Sequence, residues 1–465
     1  MSRSATISQA DNFAGRFGLV FRSSAVFYVA NDDAVTTTLS FMDYWKLKRG
    51  LDVAVVASTR DMAGNLVDRE RLTWAPGQVV NHRTAVAEGS VEIEVFCNEE
   101  LVIPYAAVMG VYETASGIAM VHSYARSYSP HEIEEGRAIT RGEEACWTLR
   151  DSPTMRSFCV VHNGGQVQPA QQVRLEVTDQ RGRTRGADIQ LAALAPYETV
   201  RLVPSEHVTD LVGLLDGGRG DGRLSFDLTG AFTRMLVGVE SVDRSDLQVT
   251  HSNFNYSRHA TDLADDDCAW MDVPRPPGRS QQVVVYPDAH AGVYEVDASD
   301  GRRTFSPGER LEVPADRTLA FRRLDGKMPT RIVTGVVTEN DGIPHELSLG
   351  VSTRRKPSKR LAWGLADEST SLYAHDLPVI FGGATDDPMV ITLHGTTSSS
   401  TSVELPAWIL RDLGAGLPLV ELLPDAAEVL GGDFGWWTAR CDYGGLSWYS
   451  SLERPSGSLA VEHGF

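Results

Sequence analysis

TRMLVGVESVDRSDLQVTHSNFNYSRH, residues 233–259, is the stretch from which the fold is read, because it is the clearest copy of a unit that recurs along the chain. TRIVTGVVTENDGIPHELSL, from Thr330, and AVMGVYETASGIAMVHSYARSYSPH, from Ala107, line up with it. The alignment superposes three Gly-Val pairs, Gly110-Val111, Gly238-Val239 and Gly335-Val336. A histidine follows each glycine by 12, 13 and 10 residues: His122, His251 and His345. Two of these continue alike, His122-Ser123 to Tyr128 and His131, and His251-Ser252 to Tyr256 and His259.

A second marker sets the period. Leu202-Val203-Pro204, Glu312-Val313-Pro314 and Leu422-Leu423-Pro424 place prolines 110 residues apart twice over. Self-similarity at a fixed period marks a repeat architecture, and four units of this length fill a chain of 465 residues. The expected division is 1–140, 141–275, 276–356 and 357–465, with Pro274 to Gly278 as the linker between the second and third units. The fourth unit reads as divergent: Trp436 to Arg440 and Leu446 to Ser451 are expected at the Gly-Val and His-Ser positions, with Ser450 in place of histidine.

Within a unit the local pattern is β. Val173, Leu175 and Val177 point one way and Arg174, Glu176 and Thr178 the other, and Asp179 to Gly182 makes a turn. Val91 to Val95 and Leu224 to Leu228 alternate in the same manner. Such strands with turns every 8 to 12 residues indicate tandem immunoglobulin-like antiparallel β-sandwiches of about six to eight strands each. One short crossover helix per unit is expected, from Pro204 with Ser205 as N-cap and again from Pro424.

Composition excludes several classes. A net charge of −19 argues against a basic nucleic-acid-binding face. No apolar run reaches 18 residues, so no membrane-spanning helix is expected. Five cysteines without CxxC spacing read as reduced, mostly buried thiols, and the N-terminal stretch lacks the apolar core of a signal peptide, so the expected location is cytoplasmic. His131-Glu132 and His345-Glu346 fail the zinc-protease pattern, since Glu135 and Leu349 stand at the fifth positions. No Walker loop and no GxSxG elbow occur. The tripeptide Arg219-Gly220-Asp221 reads as a chance occurrence in a glycine-rich loop.

The candidate binding residues cluster on the His-Ser segments: His251, Ser252, Asn253, Asn255, Tyr256 and His259 in the second unit, and His122, Ser123, Tyr128 and His131 in the first. His251, Asn253 and Asn255 share one face of an extended strand. Imidazoles beside carboxylates suit a divalent metal or proton transfer, with His251, His259 and Asp262 as candidate ligands; no other cofactor is expected. The competing reading makes the His-Ser pairs structural, bonded to a neighbouring unit's backbone. Trp436 and Trp437 are candidates for an exposed aromatic platform.

Three functional readings follow. The first is a non-enzymatic binding or scaffold protein presenting a composite surface to a glycan or protein. The second is a metal-dependent or carbohydrate-active hydrolase with a site between units at His122, His251 and nearby acids. The third is a structural subunit that forms a homo-oligomer through its sheet edges.

Overall fold

Alternating apolar residues bury one face of a strand, and two such faces closing on each other make a sandwich. In the computed structural model this happens four times. The structure describes residues 21–97, 106–129, 139–140, 145–226, 228–229, 231–233, 235–254, 268–271, 273–286, 293–305, 311–328, 331–339, 342–352, 361–376, 388–406, 416–441 and 446–464. The chain is all-β, with only five short helices among these residues.

The first unit has eight strands: Phe21–Ala30, Val35–Met42, Ala54–Asp61, Leu66–Leu72, Val79–His82, Glu88–Cys97, Val108–Thr114 and Ile118–His122. They divide between two antiparallel sheets, ordered fourth-third-sixth-first and fifth-second-seventh-eighth. The second unit runs Ala145–Leu149, Met155–His162, Gln171–Asp179, Thr184–Leu191, Thr199–Leu202, Gly220–Ser225, Leu236–Ser241 and Leu247–His251. The third runs Cys268–Met271, Gln281–Val285, Tyr294–Ala298, Gly301–Phe305, Leu311–Pro314, Leu319–Arg323, Arg331–Thr338 and His345–Ser352. The fourth runs Leu361–Ala366, Ser371–Asp376, Pro388–His394, Ser400–Pro406, Leu417–Pro418, Gly435–Cys441, Leu446–Glu453 and Leu459–His463. All four sets repeat the same two sheet orders.

The repeated sequence markers fall on equivalent strands. Gly110, Gly238 and Gly335 all lie in seventh strands. Pro314 ends a fifth strand, Pro204 opens the helix just after one, and Pro424 follows a helical turn after one. Val173, Leu175 and Val177 face the core as expected. Glu92 and Glu94 are buried although alternation places them outward, because Arg22 lies 2.8 Å from Glu92 and 2.7 Å from Glu94, and Arg60 lies 3.2 Å from Glu92. Tyr197 of the second unit covers Arg60, 4.0 Å from its ring centre, so an inter-unit contact closes what alternation leaves open.

Several expectations are corrected. The helix at Pro204–His207 is capped by Val203, not Ser205, with Pro204 in its first turn. It is followed by Leu211–Leu215, and the fourth unit likewise has two helical turns, Leu419–Leu422 and Ala426–Leu430. The first unit's helix, Tyr44–Arg49, instead joins its second and third strands. Cys268–Met271 pairs with Leu319–Arg323, so Pro274 to Gly278 is a turn between the first two strands of the third unit. Arg219 and Asp221 are buried, and Gly220–Ser225 is a strand rather than a loop. In the fourth unit Trp436 to Arg440 lies in the sixth strand and Ser450 in the seventh, where it pairs with Glu462. That unit's eighth strand ends in a histidine after all, His463.

The four units close on one another. The eighth strand of the first unit packs against those of the second and fourth, and the eighth strand of the third packs against the same two. Each junction also carries an arginine bridged to a carboxylate across it. These are Arg244 to Asp32, Arg219 to Glu339 at 3.0 Å, Arg279 to Glu453 at 2.8 Å and Arg454 to Glu113 at 3.1 Å. Partly exposed bridges contribute little energy each. The shared apolar core contributes more: Trp363, Trp436 and Leu452 of the fourth unit pack with the core of the first, and Leu459 and Val461 with that of the third.

Candidate functional site

The central strands bring together groups from 97 to 210 residues apart in sequence. Gln248, in the eighth strand of the second unit, is the hub. Its amide nitrogen donates to the Ile118 carbonyl of the first unit at 3.1 Å and to Ser458 Oγ of the fourth at 3.1 Å. Its oxygen faces His345 Nδ1 of the third unit at 3.0 Å. One buried side chain therefore joins all four units.

This network sets the state of His345. Burial pushes its imidazole down to about 4, so the ring is neutral and carries one proton. The Gln248 oxygen can only accept, so the hydrogen bond to it forms in the tautomer that carries the proton on Nδ1. Nε2 lies 3.1 Å from the Val461 N–H and 2.9 Å from the Val461 carbonyl of the fourth unit. His345 opens its strand opposite Thr338, whereas His122 and His251 end theirs opposite Met109 and Leu236. The three histidines aligned by sequence are therefore not equivalent in register.

A second cluster is built where the other eighth strands end. His122 Nδ1 lies 3.2 Å from Glu462 Oε2, and His463 Nε2 lies 3.6 Å from Glu462 Oε1. The His122 ring stands edge-on to His251, with centres 4.5 Å apart, and 5.0 Å from His463. His122 comes from the first unit, His251 from the second, and Glu462 and His463 from the fourth. Donor atoms of His122, Glu462 and His463 all lie within 4.8 Å of one another. Desolvation raises the Glu462 carboxyl above its ordinary value, and the neighbouring imidazoles oppose that shift. His251 Nδ1 sits 3.0 Å from the Ser252 carbonyl, which can only accept, so Nδ1 carries a proton.

The serines of the His-Ser pairs serve their own units. Ser252 N–H donates to the Met235 carbonyl at 2.8 Å, and Ser252 Oγ accepts the Met235 N–H at 3.0 Å. Ser123 Oγ donates to the Ala106 and Val108 carbonyls. Both extend the pairing of seventh and eighth strands by one step. It is the histidines that reach across units, as His345 does to Val461. Tyr128 lies apart, with Arg126 over its ring at 5.1 Å. His131, Asn255, Tyr256, His259 and Asp262 lie outside the described residues, and Asn253 is described only through its backbone pairing with Cys146.

Trp436 and Trp437 are not an exposed platform. Both are fully buried, Trp436 stacked on Trp363 at 4.3 Å and donating to Ser40 Oγ of the first unit at 2.9 Å. Between the second and third units Glu346 accepts from Tyr286 Oη and from the Thr148 N–H, beside a cavity of about 30 Å³ lined by Arg150, Arg219 and Gln248.

Sequence reasoning missed Gln248, Glu462 and His463. A signal existed: Val249-Thr250-His251 and Val461-Glu462-His463 share a Val-x-His ending, 212 residues apart. It was hidden because the fourth unit's seventh strand has no Gly-Val pair.

No family model and no curated protein matches this chain. Among solved structures, a biofilm associated protein BSP domain is similar over 96% of this chain and 95% of its own, at 9% identity and a TM-score of 0.13. The native alpha-2-macroglobulin of E. coli is similar over 93% of this chain at 8% identity and a TM-score of 0.09, and this chain spans 28% of its length. Likenesses this weak carry no functional argument, and the sandwich architecture rests on the strand pairing described above.

Proposed function

We propose that the chain is a non-enzymatic scaffold that takes a protein partner along the outward edges of its sheets. The carrying observation is the state of the fourth strands. Leu66–Leu72, Thr184–Leu191, Gly301–Phe305 and Ser400–Pro406 each end their sheet, with no further strand beyond them among the described residues. Most residues of the first three are exposed, and the last has exposed and half-buried residues with none buried. An open edge offers backbone donors and acceptors to an added strand, and side chains decide which strand is accepted. In the first unit Leu66 and Val67 are 55% and 58% exposed, followed by Asp68, Arg69, Glu70 and Arg71. An apolar pair leading into mixed charge favours a chosen partner and disfavours indiscriminate pairing. The glycan alternative loses its aromatic platform with the burial of Trp436 and Trp437. Cys97, Cys159 and Cys268 form no disulfide among the described residues, which is in keeping with a reducing, cytoplasmic location as part of the same proposal.

The test replaces Leu66 and Val67 together with lysine. Partners captured from the native extract by the unaltered protein and identified by mass spectrometry should be lost from the variant, while the melting temperature stays the same. Undiminished capture of the same partners would refute the edge. Light scattering that shows a fixed oligomer, abolished by the same change, would instead assign the edge to self-assembly.

The hydrolase reading draws support from the carboxylate beside His122 between units. Burial weighs against it: the side chains of His122 and Glu462 are 7% and 4% exposed, so little of the pair is open to a substrate.

A further inference from the structure

We infer that His122, Glu462 and His463 form a binding site for one divalent transition-metal ion of the zinc class, which clasps the fourth unit to the first. The inference is independent of the scaffold proposal, since it concerns the centre of the molecule and not its edges.

The donor set argues for the class. Two imidazole nitrogens and a carboxylate oxygen are borderline-hard ligands of the kind zinc takes, and they are unlike the all-oxygen cages of calcium and magnesium. Bonds of about 2.0–2.1 Å in a tetrahedral site put neighbouring donor atoms roughly 3.3 Å apart. His122 Nδ1 stands 3.2 Å from Glu462 Oε2, which matches one such edge, and His463 Nε2 stands 3.6 Å from the other carboxylate oxygen, Oε1. With one donor atom from each residue the whole set lies within 4.8 Å, and binding an ion requires the partly exposed His463 ring to draw in toward the other two.

Placement argues for a built site. A carboxylate 4% exposed is costly to ionise without compensating positive charge, and three imidazoles from three units converge on or beside it. His463 is 22% exposed and gives an ion a way in. His251 packs against His122 and directs its own N–H to the Ser252 carbonyl, which holds the His122 ring in place from the second unit. With three protein ligands the fourth position goes to water. Because His122 lies near residue 120 and Glu462-His463 at the far end of the chain, an ion here would join the two ends of the closed ring.

The test uses the full chain stripped with a chelator and then titrated with ZnCl₂ by calorimetry, and in parallel with CoCl₂ by visible absorption. One equivalent of Zn²⁺ should bind with a rise in melting temperature, and Co²⁺ should give the bands of a tetrahedral N,O site. His463→Gln, at the most exposed ligand and therefore the variant that disturbs packing least, should weaken binding by about 100-fold or more, since loss of even an outer partner costs about 10–100-fold. His394→Gln, a change of a buried histidine elsewhere in the fourth unit, should leave binding unaltered. Absence of stoichiometric binding would overturn the inference. So would His463→Gln binding as tightly as the unaltered protein, because the ion would then sit elsewhere.

Discussion

Gln248→Met tests whether the four units are held by a shared polar centre. The substitution nearly conserves side-chain volume and removes three hydrogen bonds, to Ile118, His345 and Ser458. The consequences differ by partner. His345 Nδ1 loses its acceptor in a fully buried position, which costs about 1–3 kcal/mol. The Ile118 carbonyl and Ser458 Oγ each lose one ordinary bond, about 1 kcal/mol apiece, and Ser458 Oγ keeps the Ile118 N–H at 3.1 Å. The expected loss is therefore about 3–5 kcal/mol, a large share of the roughly 5–15 kcal/mol that stabilises a typical protein. Urea unfolding followed by tryptophan fluorescence measures it, because the buried Trp45, Trp147 and Trp436 report on three of the four units. A double-mutant cycle with His345→Leu isolates the pair: the combined variant should lose less than the sum of the single ones, with a coupling of about 1–3 kcal/mol. A loss below about 1 kcal/mol, the worth of one ordinary hydrogen bond, or strict additivity in the cycle, would show that the apolar junctions alone hold the ring.

Two further outcomes follow from the same packing. A Cβ at Gly238 would stand 2.5 Å from the Gln248 carbonyl oxygen and 2.7 Å from the Phe158 ring, so Gly238→Ala should cost about 1–3 kcal/mol by overpacking. Gly326→Ala, whose Cβ would meet nothing closer than 3.5 Å, should unfold at the same urea concentration as the unaltered protein, and equal behaviour of the two variants would remove the close-approach role of Gly238. Burial holds His162 down at about 3, between Tyr124 Oη at 2.8 Å and Thr199 Oγ1 at 3.0 Å. Its folded value is depressed below the ordinary 6.5, so its contribution is complete above about pH 6.5 and is lost as pH falls toward 3. Between pH 8 and pH 5 the stability of the unaltered protein relative to His162→Gln should fall by about 2 kcal/mol, and a pH-independent difference would show that the ring titrates alike in both states.

Much of the architecture is legible in the sequence, for a physical reason. A strand side chain alternates between faces, so Val173, Leu175 and Val177 announce a buried face wherever they occur. A glycine kept at one place in successive units marks a close approach, and Gly238 opposite the eighth strand is one. Turn residues mark the hairpins, as at Asp179 to Gly182. These signals are local, and they suffice for strand, sandwich and repeat.

Tertiary structure alone decided what covers each unit. Alternation tells which face is apolar but not whether water or another unit lies against it. Trp436 and Trp437 therefore read as an exposed platform, although the former donates to Ser40 nearly 400 residues earlier. Glu92 and Glu94 read as solvent-facing, although Arg22 and Arg60 pair with them under cover of the second unit. The candidate site shows the same division. His122 and His251 stood out through their repeated context, but Glu462, His463 and Gln248 gain their meaning only when the eighth strands of four units meet. That meeting depends on ring closure, which is set by complementary surfaces between units and leaves no periodic trace in any one of them.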